Sequence, residues 1–178
     1  MENQLLYELY EAYAGELSLY LYSICRDREL AQDLLQEVFL KAMLSLPSDH
    51  TNFRTWLYQV ARNLCYNAMR DRKREVVSDD PTAATALPGG ADDRRVERPP
   101  LEHILESERN RRLYEGILKL SPMASQVIVL QYFGGLSQKE IASILGLSPG
   151  NVRVIALRAR SQLKDHMEPY EGGGRDEL

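Results

Sequence analysis

The chain has 178 residues, 22 of them Lys or Arg against 26 Asp or Glu, which gives a formal net charge of −4. Hydrophobic residues make up 44% and charged residues 27%, which excludes a disordered or membrane-embedded class and suits one ordinary domain or two small ones. No apolar run approaches the ~20 residues that a membrane helix needs. The acidic, polar opening Met1 to Gln4 is wrong for a signal peptide, so the terminal Arg175 to Leu178 is not read as a retrieval tail. Cys25 and Cys65 are too few for a disulfide framework, and a reducing cytoplasm is the expected compartment.

In chain order, Leu6, Tyr10, Tyr13, Leu17, Tyr20 and Ile24 recur at three- and four-residue steps and predict a long amphipathic helix. Asp27 is placed to cap a second helix, with Glu29 in its first turn and an apolar stripe of Ala31, Leu34, Leu35, Val38 and Ala42. Pro47 to His50 interrupts the pattern, and Thr51 is placed to cap a third helix. Phe53, Trp56, Leu57, Val60, Leu64 and Ala68 form the expected buried face of that helix. Its other face carries Asn63, Tyr66, Asn67, Arg70 and Arg74. Cations there can follow phosphates, an aromatic ring can stack on an unpaired base, and amides can bond base edges. A solvated face with a macrodipole-complementing last turn is the simpler reading of the same residues.

Val76 to Pro100 holds four prolines, Gly89-Gly90 and two Asp pairs without any apolar period, and reads as a flexible linker. The charge is unevenly spread. Residues 1–74 sum to −1, 75–108 to −6 and 109–178 to +3, so the acidic total conceals basic zones. The expected organisation is all-α: a helical domain over 1–74, a linker over 75–100, a second helical domain over 101–168 and a disordered tail over 169–178.

In the second domain Ser121-Pro122 starts a helix that runs to Phe133 and ends at Gly134-Gly135. Ser137 to Glu140 forms a capping box opening a short helix, Gln138 to Leu145. Gly146 supplies a turn needing positive φ, and Ser148-Pro149 starts a last helix expected to reach Asp165. Two helices joined by such a turn make a helix-turn-helix. Val152, Ile155, Ala159 and Leu163 are expected to point inward. That leaves Gly150, Asn151, Arg153, Val154, Leu157 and Arg158 outward, on a helix with four cations and no acid between Ser148 and Lys164. The early turns of such a helix suit base edges and its later cations suit phosphates. A hairpin used for protein contact alone is the rival reading.

The stretches AQDLLQEVFLKA (Ala31 to Ala42), FRTWLYQVARNLCYNAMRDRKR (Phe53 to Arg74) and Leu120 to Lys164 together resemble the extracytoplasmic-function RNA polymerase sigma factors. The resemblance implies that Asp33, Gln36 and Glu37 dock on the β′ clamp helices of core RNA polymerase. It implies that Ser48, Asp49, His50, Thr51 and Asn52 form the loop that captures a base flipped from the minus-10 element. Arg62, Asn63, Tyr66, Asn67, Arg70, Lys73 and Arg74 would flank that melted strand. Ser148, Pro149, Gly150, Asn151, Arg153, Val154, Leu157, Arg158, Arg160 and Lys164 would read the minus-35 element, while the C-terminal domain binds the β flap. The acidic linker resembles the family segment that mimics RNA in the exit channel, and an anti-sigma protein is an implied partner. Trp56 matches an aromatic of the family motif, although its own spacing places it in the core. Val154-Ile155-Ala156 departs from the family's usual polar, polar, bulky-apolar order, which bears on minus-35 contacts rather than on the fold.

No enzyme constellation is present: there is no phosphate loop, dinucleotide fingerprint or nucleophile elbow. His50, His103 and His166 lie far apart, no zinc spacing occurs, and both cysteines sit on apolar stripes as expected core thiols. Neither cofactor nor metal is expected. The alternative function is a helix-turn-helix regulator acting without polymerase docking, with a protein-binding helical adaptor as a third.

Overall fold

The computed structural model describes residues 2–45, 52–77 and 100–171. Among these residues there are eight α-helices, one π-helical turn and no strand. They are α1 (Glu2–Cys25), α2 (Arg28–Leu44), α3 (Phe53–Val77), α4 (Pro100–Ile104), α5 (Glu108–Lys119), α6 (Pro122–Ile128), α7 (Gln138–Leu145) and α8 (Pro149–Glu171). The π turn, Val129–Phe133, continues α6 and closes with the Gly134 amide on the Val129 carbonyl at 3.0 Å.

Local chemistry explains where the helices begin. Asp27 is extended and its side chain accepts from the Leu30 amide at 3.1 Å, starting α2 one residue later. Ser107 caps α5 through the Asn110 amide, and Ser121 caps α6 through the Ala124 amide with Pro122 at the first helical position. At α7 the capping box is complete in both directions: Ser137 takes the Glu140 amide and Glu140 takes the Ser137 amide at 2.7 Å. The proposed cap Thr51 lies outside the described residues, as do Ser48, Asp49, His50 and residues 78–99 of the acidic stretch.

α1 packs against α2 and α3 on one side and against α4 and α6 on the other. Leu17, Ser18, Leu19, Tyr20 and Leu21 are all buried in succession, as expected only where a helix is covered all round. The expected stripe on α1 is therefore too narrow. Leu6, Tyr10, Tyr13 and Ile24 are half-buried, whereas Leu19 and Leu21 are buried completely. The buried face of α3 is likewise shifted. Leu57, Tyr58, Ala61, Leu64 and Cys65 fill it, and Phe53, Trp56, Val60 and Ala68 lie at its margin.

Two helices run past their expected ends. α3 reaches Val77 rather than Arg74, and α8 reaches Glu171 rather than Asp165, so Pro169 lies within α8 rather than in a tail. The extension of α8 has a tertiary cause. Gly116 of α5 leaves a gap in which a Cβ would stand 2.7 Å from His166 Cδ2, and His166 Nε2 lies 3.2 Å from the Arg112 carbonyl. α5 thereby holds the later turns of α8, beyond the point where the apolar pattern stops.

Candidate nucleic-acid interface

The helix-turn-helix consists of α7 and α8. Gly146 closes α7 at φ 67°, ψ 34°, a left-handed conformation in which a side chain is strained even though no atom lies within 4 Å of its would-be Cβ. Ala142 is buried where the helices cross, and the Leu147 amide bonds back to its carbonyl at 3.0 Å. Ser148 accepts the Asn151 amide at 3.2 Å and opens α8. The inward face of α8 is Val152, Ala156, Ala159 and Leu163. Ile155, expected there, is only half-buried, because Ala156 takes the fully buried place and Ile155 rolls to the edge. The short Ala156 side chain lets α8 lie close to its neighbours.

All ten minus-35 candidates are exposed: Ser148, Pro149, Gly150, Asn151, Arg153, Val154, Leu157, Arg158, Arg160 and Lys164. Val154 and Leu157 stand 45% and 49% exposed, which is costly to leave in water and suits contact with thymine methyl groups. Lys164 meets Glu168 at 4.0 Å one turn on, an exposed pair that is easily exchanged for a phosphate.

On α3 the second candidate surface is ordered by its own side chains. Asn63, Tyr66, Asn67, Arg70, Lys73 and Arg74 are exposed, and Asn52 stands exposed just before the helix. Arg70 donates to Asn67 Oδ1 at 3.0 Å, and the half-buried Arg62 lies over the Tyr66 ring at 4.7 Å. Arg70, Lys73, Arg74 and Val77 line one shallow groove. Arg72 turns the other way and donates to Asp27 Oδ2 at 2.7 Å, tying α3 to the start of α2. That bond, with the Leu30 amide on the same carboxylate, holds Asp27 below the usual carboxylate pKa.

α2 exposes Asp33, Gln36 and Glu37. Leu40, Met43 and Leu44 continue that region and are 58%, 47% and 84% exposed. Sequence reasoning missed them. The signal available was that they fall outside the Ala31 to Ala42 stripe by a turn's phase.

Tyr66 has an unexpected partner. Gln126, on α6, donates from Nε2 to Tyr66 Oη at 2.9 Å and accepts from the Tyr20 hydroxyl at 3.1 Å. Beside this chain Glu16 Oε2 accepts from both Tyr58 and Arg54, at 3.1 and 3.2 Å. Trp56, half-buried and 5.9 Å from Phe53, lines a 470 Å³ cleft with Asn52, Thr55 and Gln59 of the first region and Lys139, Glu140 and Ser143 of α7. Among the described residues no three His, Cys, Asp or Glu side chains converge to hold a metal, and no helix is long and apolar enough to cross a membrane.

A helix-turn-helix whose second helix offers four cations and no acid as far as Lys164 has the form of a DNA-binding unit. Comparison with known proteins narrows this. Residues 9–75 match Sigma-70 region 2, and residues 110–163 match Sigma-70, region 4. The chain is 33% identical to the ECF RNA polymerase sigma factor SigM of Bacillus subtilis, over 96% of this chain and 98% of that protein. Its fold resembles the sigma factor RpoE in complex with the anti-sigma factor NepR from Bartonella quintana, with TM-score 0.62, 21% identity, and 90% and 95% of the two chains covered. It also resembles CnrH in complex with the cytosolic domain of CnrY, with TM-score 0.60, 23% identity, and 94% and 90% covered. The chain belongs to the ECF sigma factors: it is an RNA polymerase sigma factor, whose partners are core RNA polymerase and promoter DNA.

Proposed function

We propose that the sigma activity is divided between two surfaces, α8 for duplex DNA and α3 for unpaired DNA, within functional units spanning residues 1–74 and 101–168. On α8, Ser148 to Leu157 read the minus-35 base edges while Arg158, Arg160 and Lys164 meet phosphates. On α3, Asn63, Tyr66, Asn67, Arg70, Lys73 and Arg74, with Arg62 behind Tyr66, hold the melted minus-10 strand, and residues 48–52 take its flipped base. Asp33, Gln36 and Glu37, joined by Leu40, Met43 and Leu44, dock on the β′ clamp helices of core polymerase, and the C-terminal unit docks on the β flap. The chain works in the cytoplasm and performs no catalysis of its own. Polymerase does the chemistry, while this protein supplies binding energy that favours the open strand. The acidic stretch 75–100 acts as an RNA mimic, and an anti-sigma protein covers these surfaces in the resting cell.

The single observation that carries this reading is the pairing, on one chain, of the exposed face of α8, acid-free from Pro149 to Lys164, with the exposed aromatic, amide and cation stripe of α3. A plain duplex regulator needs the first and has no use for the second. The test is transcription from a genomic library with core polymerase, with and without the protein, followed by two variants. Arg153→Ala weakens upstream duplex affinity by about tenfold, the cost of one good base contact. Asn67→Ala leaves that affinity unchanged and lowers strand opening, read with permanganate. Equal effects of both on duplex affinity would refute the division.

A further inference from the structure

The chain's two cysteines, at positions 25 and 65, are brought together by the packing of α1 on α3. Cys25 is the last residue of α1, and Cys65 lies in the middle of α3. Cys65 Sγ stands 3.9 Å from the Leu21 carbonyl. In an α-helix that carbonyl belongs with the amide four residues on, so the Cys65 sulfur sits beside the very turn that ends in Cys25. The two thiols are neighbours, and each sets the other's hold on its proton. Among the described residues no third His, Cys, Asp or Glu joins them to hold a metal.

The two sulfurs are not equivalent. Cys25 is half-buried and within reach of a small solute, whereas Cys65 is fully buried. The Cys65 thiol and the backbone amides of Cys25 and Asp27 favour the Cys25 thiolate, against burial and the Asp27 carboxylate. Arg72 pairs with that carboxylate at 2.7 Å and lies in the field of the Cys25 sulfur as well. Cys65 is pushed the other way, by the Cys25 sulfur and by burial, and keeps its proton. Two thiols that merely fill a core would both be shielded from solvent. One accessible thiolate against one buried, protonated thiol is instead the division between an attacking and a resolving cysteine.

We propose that Cys25 and Cys65 form a peroxide-reactive dithiol, in which Cys25 takes the oxidant and Cys65 resolves it to an intramolecular disulfide. The Cys25 thiolate attacks one oxygen of a hydroperoxide, the O–O bond breaks, and Cys25 becomes a sulfenic acid. The departing alkoxide takes up the proton that the Cys25 thiol gave to solvent. The Cys65 sulfur then attacks Cys25 Sγ, the S–O bond breaks, and the hydroxide leaves as water with the Cys65 proton. Two thiols lose two electrons in all, and one peroxide is reduced to an alcohol and water. The new bond replaces the contact of Cys25 Sγ with the Asp27 carbonyl at 3.3 Å, so oxidation is felt beside the cap of α2. Through Cys65 it is felt one residue before Tyr66 on α3. Disulfides of cytosolic proteins are mostly transient and redox-sensing, in keeping with a pair that thiols can reopen. The proposal does not depend on which DNA surface α3 or α8 offers.

The test treats the full chain with hydrogen peroxide in about tenfold excess, stops the reaction with catalase and counts thiols after unfolding with a mass-adding maleimide. Both thiols disappear together in a protein that stays monomeric, the peptide holding Cys25 is joined to the one holding Cys65, and dithiothreitol restores both. In Cys65→Ala the reaction stops at a Cys25 sulfenic acid, which dimedone captures. In Cys25→Ser the loss of the Cys65 thiol slows by about tenfold or more, because no accessible thiolate remains to begin the reaction. Loss of Cys25 alone in the wild type, or a disulfide only between two chains, would overturn the proposal. So would a Cys65 thiol lost as fast in Cys25→Ser as in the wild type. If circular dichroism shows Cys65→Ala unfolded, the thiol count and peptide linkage of the wild type decide without it.

Discussion

Asp27 is where α2 and α3 are tied together, and its two roles can be separated by substitution. Its carboxylate caps α2 through the Leu30 amide and accepts from Arg72 of α3 at 2.7 Å. Loss of an N-cap costs about 1 kcal/mol. The ion pair is about half exposed, with side chains 53% and 36% accessible, so solvent screening holds it to about 0.5 kcal/mol. Asp27→Ala loses both and costs about 1.5 kcal/mol. Asp27→Asn keeps a capping oxygen and costs only about 0.5 kcal/mol, as does Arg72→Ala. For a chain of this length, Asp27→Ala then lowers Tm by about 3–6 °C and Asp27→Asn by about 1–2 °C, measured by urea and thermal unfolding at pH 7. The pH dependence follows from the sign of the shift. Asp27 titrates below its ordinary value when folded, so its charge stabilises the protein above the unfolded pKa of about 3.9. That contribution is lost as pH falls through the folded pKa. The gap between wild type and Asp27→Asn should therefore be flat from pH 7 to about 5 and shrink below about 4. Equal losses in Asp27→Asn and Asp27→Ala, or a gap that widens on acidification, would refute the partition.

Leu40→Glu should weaken binding to core polymerase by about tenfold in a fluorescence titration while leaving helicity intact, since Leu40 is 58% exposed; unchanged affinity would remove the apolar part of the proposed docking face. Gly146→Ala should cost about 1 kcal/mol in chemical unfolding, purely from the left-handed backbone, because the added methyl group meets no atom. A cost above about 3 kcal/mol would mean that the turn is crowded. Cys25 should alkylate with a rate that levels off below the usual thiol range, because the neighbouring Cys65 thiol favours its thiolate and holds its pKa down. Fully buried Cys65 should not react, and Cys65→Ala should move the Cys25 midpoint upward; a rate still climbing past pH 8.5 in the wild type contradicts this.

The features legible from residues alone are those whose chemistry is local. Asp27 and Ser137 cap because their side chains reach amides three residues on, whatever the rest of the chain does. Gly146 turns because glycine takes positive φ without the strain a side chain brings. The outward set on α8 follows from periodicity once Val152 and Ala159 are recognised as inward. Ala156 rather than Ile155 took the fully buried place because adjacent positions differ by only 100° of helix rotation, and neighbouring helices decide which one is covered. Gly134 meets Tyr58 beside the π turn, and Gly116 receives His166 where α8 runs on toward Glu171. Those partners are distant in sequence, and no local pattern announces them.

By itself the sequence determined an all-helical chain, the turn and caps of its helix-turn-helix, and the basic zones hidden beneath a net charge of −4. Each of these rests on interactions spanning a few residues. Only the tertiary structure decided that α1 is covered all round from Leu17 to Leu21, that Leu40 and Leu44 stay exposed, and that Gln126 bridges two tyrosines. Burial of a given side chain depends on which elements arrive from far along the chain. A glutamine amide flanked by Ser125 and Val127 gives no sign that its partners lie 106 and 60 residues away.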